Sequence, residues 1–244
     1  MDPDAVIDHI WDNWKKNQGA CQDCPARDRN GGWPLYFGQG SLSTDIMLIG
    51  EEPGGANDPN YEDGEGYAPR EQRDYPENRL DTVDEHHPRV GSSSISIVET
   101  KKIYPSFFKH IQGYSNDPSD SNNSPYYTNT KKSQEIHGED FDTSDPPVQR
   151  CLPYLELEIT AIDPKVIVLI GDDATENFAS RFPLDYNSTT YKDIYKILDM
   201  NGKPPYIVRS YHWGNGIPLS YLPVDGESEY WERLGKTVNK ALNK

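Results

Sequence analysis

Short apolar runs separated by long polar stretches dominate the chain, and these runs predict buried β-strands. They are Asp45–Gly50, Lys165–Gly171 and Tyr206–Ser210. Continuous apolar runs of this length are typical of strands that are covered on both faces of a parallel sheet. A fourth strand is predicted over Tyr126–Asn129.

Apolar residues at helical spacing predict the helices. An amphipathic helix opens the chain over about 4–16, where Asp4 can cap the first turn. Further helices are predicted over about 97–113, from Pro146-Pro147 to about Ile162, over about 173–181 and over about 227–242. Strands that alternate with helices predict a three-layer α/β/α sandwich with a central, mostly parallel four-stranded sheet. We expect a single domain over 1–244 that carries a polar insertion over about 55–94.

Composition and charge narrow the class of protein. The 244 residues carry 24 Lys and Arg against 40 Asp and Glu, a formal net charge of −16. The mean hydropathy of −0.85 excludes a membrane-spanning protein, as does the lack of a run of about 18 apolar residues. The acidic N-terminus and the three cysteines predict a cytoplasmic protein. An acidic surface is typical of proteins that work in high salt. At high salt the repulsion between two negative charges is screened, so the net charge does not exclude nucleic acid as a partner.

Polar side chains follow three of the predicted strands. Glu51 and Glu52 come after the first strand, Asn129 closes the second, and His212 follows the fourth. Ligands of open α/β sheets bind at the carboxyl ends of the strands. We therefore expect Glu52, Asn129 and His212 to line one cavity.

Five short motifs follow one another over roughly 21–225. They are 36–54, which ends in Gly50-Glu51-Glu52-Pro53-Gly54, then Tyr127-Thr128-Asn129, Cys151–Leu155, Val166–Gly171 and a segment that begins at His212. Together they resemble the uracil-DNA glycosylase superfamily, and most of all its iron–sulfur branch (family 4), whose first motif reads Gly-Glu-Ala-Pro-Gly.

The resemblance implies a DNA glycosylase of base excision repair, acting as a monomer, that hydrolyses the N-glycosidic bond of uracil or of another deaminated base in DNA. In this chemistry a carboxylate stabilises positive charge on the sugar and orients water, while a histidine donor stabilises the departing base. Glu52 is the expected carboxylate, with Glu51 as the alternative, and His212 is the expected donor. One of the two acids could instead be a solvated loop residue, and His212 an ordinary loop histidine.

The resemblance also implies which residues bind the base. The Asn129 amide can offer an acceptor to N3–H and a donor to O4 of uracil, whereas cytosine presents the reverse pattern. Asn129 could instead cap the next turn. Gly50, Pro53 and Gly54 are expected against the flipped nucleotide, because glycine lets the backbone approach closely. Tyr67 is the expected stacking residue.

Three cysteines match three of the four cluster ligands of that branch. These are Cys21, Cys24 and Cys151, and Ser133 stands where the family has its remaining cysteine. The set could hold a [4Fe–4S] cluster with Ser133 as the non-cysteine ligand, or a zinc ion with His137. The metal could also be lost, which would leave three small buried side chains. The residues leave these alternatives open, and each role would be structural.

Departures from the family leave other functions open. His212 is followed by Trp213-Gly214 where the family has Pro-Ser, and Tyr67 has no clear family counterpart. A non-catalytic member that binds DNA or a protein is the alternative function. An unrelated cytosolic protein with a structural zinc is a third.

DNA binding by so acidic a chain requires particular contacts. In high salt, counterion release contributes little, so base flipping, stacking and backbone N–H contacts remain. Lys131, Lys132 and Arg209 are close to predicted strand ends, and of the cations we expect these to contact phosphates. As lone charges, most of them could instead simply be solvated.

Overall fold

A computed structural model describes residues 2–22, 39–51, 107–114, 125–132, 146–187, 190–211, 220, 222 and 224–244. These residues form a parallel sheet and the helices that flank it, which confirms the predicted α/β class. Within the same ranges, no helix combines the length and apolarity that a membrane crossing requires. The predicted insertion and most of the helix predicted over 97–113 lie outside the described residues.

Five strands form the sheet in the spatial order β1-β3-β2-β4-β5. They are β1 (Gln39–Gly40), β2 (Ile46–Gly50), β3 (Tyr126–Asn129), β4 (Val166–Ile170) and β5 (Tyr206–Ser210). The four longer strands are the predicted ones, and β2–β4 and β4–β5 pair in parallel. The prediction missed β1, because two residues are too few to show a hydrophobic period.

Five α-helices and a short 3-10 helix belong to the described residues. They are α1 (Pro3–Lys15), the 3-10 helix (Gly19–Cys21), α2 (Pro146–Ile162), α3 (Asp172–Arg181), α4 (Thr190–Asp193) and α5 (Glu227–Leu242). The bounds of α1, α2, α3 and α5 agree closely with the prediction. The single-turn α4 is too short to show helical periodicity, so it was not predicted.

The chain divides into two compact units. The first unit holds Met1–Gln39, Glu52–Ile97 and Asn129–Ala161, and the second holds Gly40–Glu51, Val98–Thr128 and Ile162–Lys244. The prediction of a single domain over 1–244 stays a prediction.

The core of the second unit is a set of strands buried along their whole length. Every residue of β2, β4 and β5 is buried, and the register sets Ile46 beside Val166 and Val166 beside Tyr206. Helix α5 packs on β4 and β5 and buries its apolar face, which consists of Tyr230, Trp231, Leu234, Val238 and Ala241. Full burial of one large apolar side chain stabilises a fold by about 1.5–3 kcal/mol, so this face accounts for the docking of α5.

The core of the first unit includes one face of α1 and one face of α2. Helix α1 buries Val6, Ile10 and Trp14, which recur at helical spacing. The buried residues of α2 in this unit are Cys151, Leu152, Tyr154, Leu155 and Glu158. A carboxylate therefore occupies a core position of an otherwise largely apolar face.

Helix α5 lies close to the segment 107–114 at Gly235. A Cβ atom at Gly235 would lie 2.6 Å from the Cβ of His110, so no side chain fits there. One turn later, Nδ2 of Asn239 donates to the carbonyl of His110 at 2.6 Å, and its Oδ1 accepts the N–H of Gln112 at 2.9 Å. The helix and the segment are thus held in backbone contact.

We expect Gly235→Ala to lower the free energy of unfolding by about 1–3 kcal/mol, because the added methyl overlaps the Cβ of His110. Without the contact, alanine would stabilise the helix by about 1 kcal/mol relative to glycine. A loss of stability in the variant therefore shows that the helix lies too close to His110 for a methyl group. Denaturant unfolding measures the change. The control is Lys236→Ala at the exposed neighbouring position, for which we expect a change within about 0.5 kcal/mol. A stabilised Gly235→Ala variant would contradict the close contact.

Candidate functional site

Three of the predicted site residues lie at the ends of strands that the structure describes. Gly50 is the buried last residue of β2, and Glu51 follows it with a half-buried side chain. Asn129 is the last residue of β3 and is fully buried. β2 and β3 are neighbours in the sheet. Each of these residues therefore occupies the strand end that the apolar pattern predicts.

Seven of the other predicted site residues lie outside the described residues. They are Glu52, Pro53, Gly54, Tyr67, Cys24, Ser133 and His212, and the alternative zinc ligand His137 belongs with them. The prediction that Glu52, Asn129 and His212 line one cavity stays a prediction.

The four residues that run from the end of β3, Asn-Thr-Lys-Lys at 129–132, form a buried polar segment, here called the 129–132 segment. None of the four exposes more than 3% of its surface. Nζ of Lys132 pairs with the carboxylate of Glu158 on α2, and each of these side chains is only 1% exposed. The backbone N–H of Lys132 donates to Sγ of Cys151 at 3.4 Å. The segment is thus bound to α2 at two points.

Cys21 and Cys151 are both buried, and neither forms a disulfide with a described residue. Cys21 ends the 3-10 helix and faces the hydroxyl of Tyr154, which is one turn beyond Cys151 on α2. Burial is the main cause that raises the pKa of Tyr154, and the neighbouring Cys21 raises it further. This hydroxyl therefore keeps its proton. Cys21 therefore lies beside a residue of α2 that is one turn from Cys151.

The structure describes two of the residues that could hold a metal, Cys21 and Cys151. Within the described ranges, no group of three His, Cys, Asp or Glu is arranged to hold a metal ion. The sulfur of Cys151 accepts a backbone N–H, as the ligand sulfurs of metal centres do. Ser133 directly follows Lys132, whose backbone N–H makes this contact. Of the proposed ligands, Cys21 and Cys151 are thus buried in one unit.

Arg209 lies in β5 and is surrounded by acceptors. Its guanidinium donates to Asp172 at 2.9 Å, to the carbonyl of Asn187 and to Oγ1 of Thr175 at 3.3 Å. The carboxylate of Asp193 is 3.6 Å away, and the Arg209 side chain is 1% exposed. The guanidinium of Arg209 therefore makes its hydrogen bonds and ion pairs within the second unit.

The two carboxyls that face Arg209 respond differently to their surroundings. Burial is the main cause that raises the pKa of Asp172, and it outweighs the attraction of Arg209. Burial also acts to raise the pKa of Asp193, but hydrogen bonds from Lys196 and from the N–H of Asn187 outweigh it, so the pKa is lowered. Asp193 is thus the carboxylate that stays ionised most readily beside Arg209.

The expectation that Lys132 and Arg209 contact phosphates is wrong, because both cations are buried against carboxylates of the chain itself. Lys131 is buried as well, which also contradicts the expectation for that residue. Sequence analysis missed the carboxylates that hold Lys132 and Arg209. One signal was available: Glu158 continues the helical spacing of Tyr154 and Leu155, and an acid at a core position predicts a buried cation. The pairing of Arg209 left no comparable signal, since Asp172 and Asp193 look like ordinary helix-end acids.

Tyr230 of α5 holds the end of β5. Its hydroxyl accepts the backbone N–H of Tyr211 at 3.1 Å and shares a hydrogen bond with Oγ of Ser210 at 3.0 Å. Burial is the main cause that raises the pKa of Tyr230, so the hydroxyl stays protonated. The backbone that leads directly into His212 is therefore fixed to α5. Sequence analysis predicted the helix over about 227–242 but not this role of Tyr230.

A comparison with known protein families identifies the superfamily. The family model of the Uracil DNA glycosylase superfamily matches residues 37–213, more than two thirds of the chain. The chain belongs to the uracil-DNA glycosylase superfamily. The matched region contains all five strands of this glycosylase-family sheet, together with Asn129 and His212. Cys21 and Cys24 precede it. No curated protein sequence matches the chain.

We expect Tyr230→Phe to lower the free energy of unfolding by about 1–2 kcal/mol, because the N–H of Tyr211 and the hydroxyl of Ser210 each lose one hydrogen bond. Thermal or urea unfolding measures it. The matched control is Tyr195→Phe, whose ring centroid is 6.1 Å from that of Tyr230. The buried hydroxyl of Tyr195 has no hydrogen-bond partner among the described residues, so its removal should be neutral or stabilising. Equal losses in both variants would contradict the anchoring role.

Proposed function

We propose that the chain is a DNA glycosylase that hydrolyses the N-glycosidic bond of uracil, or of another deaminated base, in DNA. The observation that carries this proposal is the superfamily match over 37–213. Support comes from Asn129, the proposed base-reading residue, which lies at the end of β3 and is fully buried.

Base recognition is assigned to Asn129. A buried amide has few orientations, so its carbonyl and NH₂ groups can present a fixed pattern to N3–H and O4 of uracil. Cytosine, which reverses that pattern, would leave both partners unsatisfied. Gly50, Pro53 and Gly54 are proposed to contact the flipped nucleotide, and Tyr67 to stack on the base.

The proposed hydrolysis needs no covalent intermediate. Water adds to C1′ of the deoxyribose while the C1′–N1 bond breaks, and its electron pair leaves with the base. Glu52 orients this water and takes up its proton, with Glu51 as the alternative. His212 donates a hydrogen bond to the uracil anion, which is where negative charge develops.

A structural [4Fe–4S] cluster is part of the proposal, with Cys21, Cys24, Cys151 and Ser133 as its ligands. The burial of Cys21 and Cys151 and the N–H donated to the Cys151 sulfur support it. Such a cluster would stabilise the loop around Cys21 against α2. Zinc, with His137, is the alternative ligand arrangement.

The net charge of −16 shapes the proposed DNA contact. With Lys131, Lys132 and Arg209 buried, fewer cations remain for phosphates, so affinity would rest on base flipping, stacking and backbone N–H groups. We propose a monomer that acts in a salt-rich cytoplasm, where repulsion from DNA is screened.

One observation favours a second function. His212 is followed by Trp213-Gly214 where the family has Pro-Ser, so the loop expected to hold the DNA strand differs. The alternative is a superfamily member that binds DNA or a protein without cleaving the glycosidic bond.

A uracil-containing oligonucleotide incubated with the protein in molar KCl and then treated with alkali tests the proposal. We expect strand breakage at uracil, with kcat/KM reduced about 10²–10³-fold in Asn129→Ala, Glu52→Ala and His212→Ala, because each removes a stabilising contact. The control His9→Ala, at an exposed position of α1, should match the wild type. Intact strands with measurable DNA binding would favour the non-catalytic alternative.

Metal analysis of anaerobically purified protein tests the cluster. We expect iron and acid-labile sulfide in equal amounts, and loss of both in Cys151→Ala, because a thiolate ligand is removed. Zinc without sulfide would support the alternative ligand arrangement, and protein free of metal would refute both.

A further inference from the structure

Lys132 contacts α2 through both its backbone and its side chain. Its N–H donates to Sγ of Cys151, and its Nζ pairs with Glu158. All three residues belong to the first compact unit, as does Asn129. One residue therefore connects the 129–132 segment to two positions on a single helix.

The spacing of these two positions fixes an orientation as well as a location. Residues 151 and 158 are separated by about two helical turns, or about 10 Å along the axis. Side chains on a helix lean towards its N-terminus, so the Glu158 carboxylate reaches back towards Cys151. A lysine whose backbone lies at one point and whose ammonium lies at the other cannot rotate about either contact alone.

Stability alone does not explain a charged pair at this place. Replacing a buried ion pair by apolar residues of similar volume is often neutral or stabilising, whereas removing one partner leaves an uncompensated buried charge. The pair does provide one defined arrangement, since the ammonium must meet the carboxylate. The residue three positions before Lys132 is Asn129, which is fully buried.

We propose that Lys132 and Glu158 are positioning residues for base recognition: their buried pair fixes the 129–132 segment on α2 and thereby sets the orientation of the Asn129 amide. This inference rests on the proposed function and deepens it. Neither residue touches the base. They act through the backbone between residues 129 and 132.

The test uses the double variant Lys132→Met/Glu158→Leu, which removes both charges and roughly keeps the volume. Glu158→Gln alone removes the carboxylate that Nζ of Lys132 meets. The double variant keeps the test valid if this single variant fails to fold. The control is Lys236→Met, which removes the ion pair between Lys236 and Glu232. The Lys236 side chain is 69% exposed, so this pair is not buried. Unfolding curves establish that the variants compared are folded.

We expect the folded double variant to lose kcat/KM for uracil release about 10–100-fold, as a misplaced contact group does. Its affinity for an oligonucleotide with an abasic site should stay within about twofold of the wild type, because that ligand has no base for Asn129 to read. Backbone amides of the 129–132 segment should exchange hydrogen at least about tenfold faster, with the amides of α5 unchanged. If the pair had only a structural role, its loss would not lower kcat/KM while leaving abasic-site affinity unchanged.

Wild-type kinetics or unchanged hydrogen exchange in the folded double variant would overturn the inference while leaving the proposed function intact. A parallel loss of abasic-site binding would also overturn it, because the defect would then be general. A wild-type protein that releases no uracil would refute the proposed function, and the inferred role in recognition with it. The exchange measurement would still decide whether the pair orders the segment.

Discussion

Lys132 and Arg209 are buried near the ends of β3 and β5, where an isolated charge would cost many kcal/mol. Each stands beside carboxylates that come from helices: Glu158 from α2 for Lys132, and Asp172 from α3 and Asp193 from α4 for Arg209. The pairing requirement therefore ties strand ends to particular helix positions. Much of the order in the polar part of this fold follows from it.

This use of cations bears on how the glycosylase-family chain can meet DNA. Basic residues near strand ends would ordinarily neutralise phosphates, yet here they neutralise the protein's own acids. With a net charge of −16, association cannot depend on long-range attraction to DNA, and salt can only weaken the repulsion. Under the proposed function, short-range contacts with the base then carry more of the recognition, and their geometry must be well defined.

The hydrophobic pattern predicted the four longer strands and the main helices, because apolar runs such as Val166–Ile170 have few alternatives to burial. The ends of those strands also follow from the pattern, which is why Asn129 could be placed. The surroundings of Lys132 and Arg209 could not be predicted, since a cation after or within a strand looks the same whether it faces water or a carboxylate. Only the spacing of Glu158 on α2 hinted at the difference.

The two contacts of Lys132 have a genetic consequence. A segment that must place an ammonium beside a carboxylate is either seated on α2 or released from it, with few arrangements between. Sequence change at residues 129–132 and at Glu158 should therefore be restricted to coordinated replacements, in which both partners change together. Exposed positions such as Lys236 can drift singly, so the two classes would diverge at different rates among descendants of this gene.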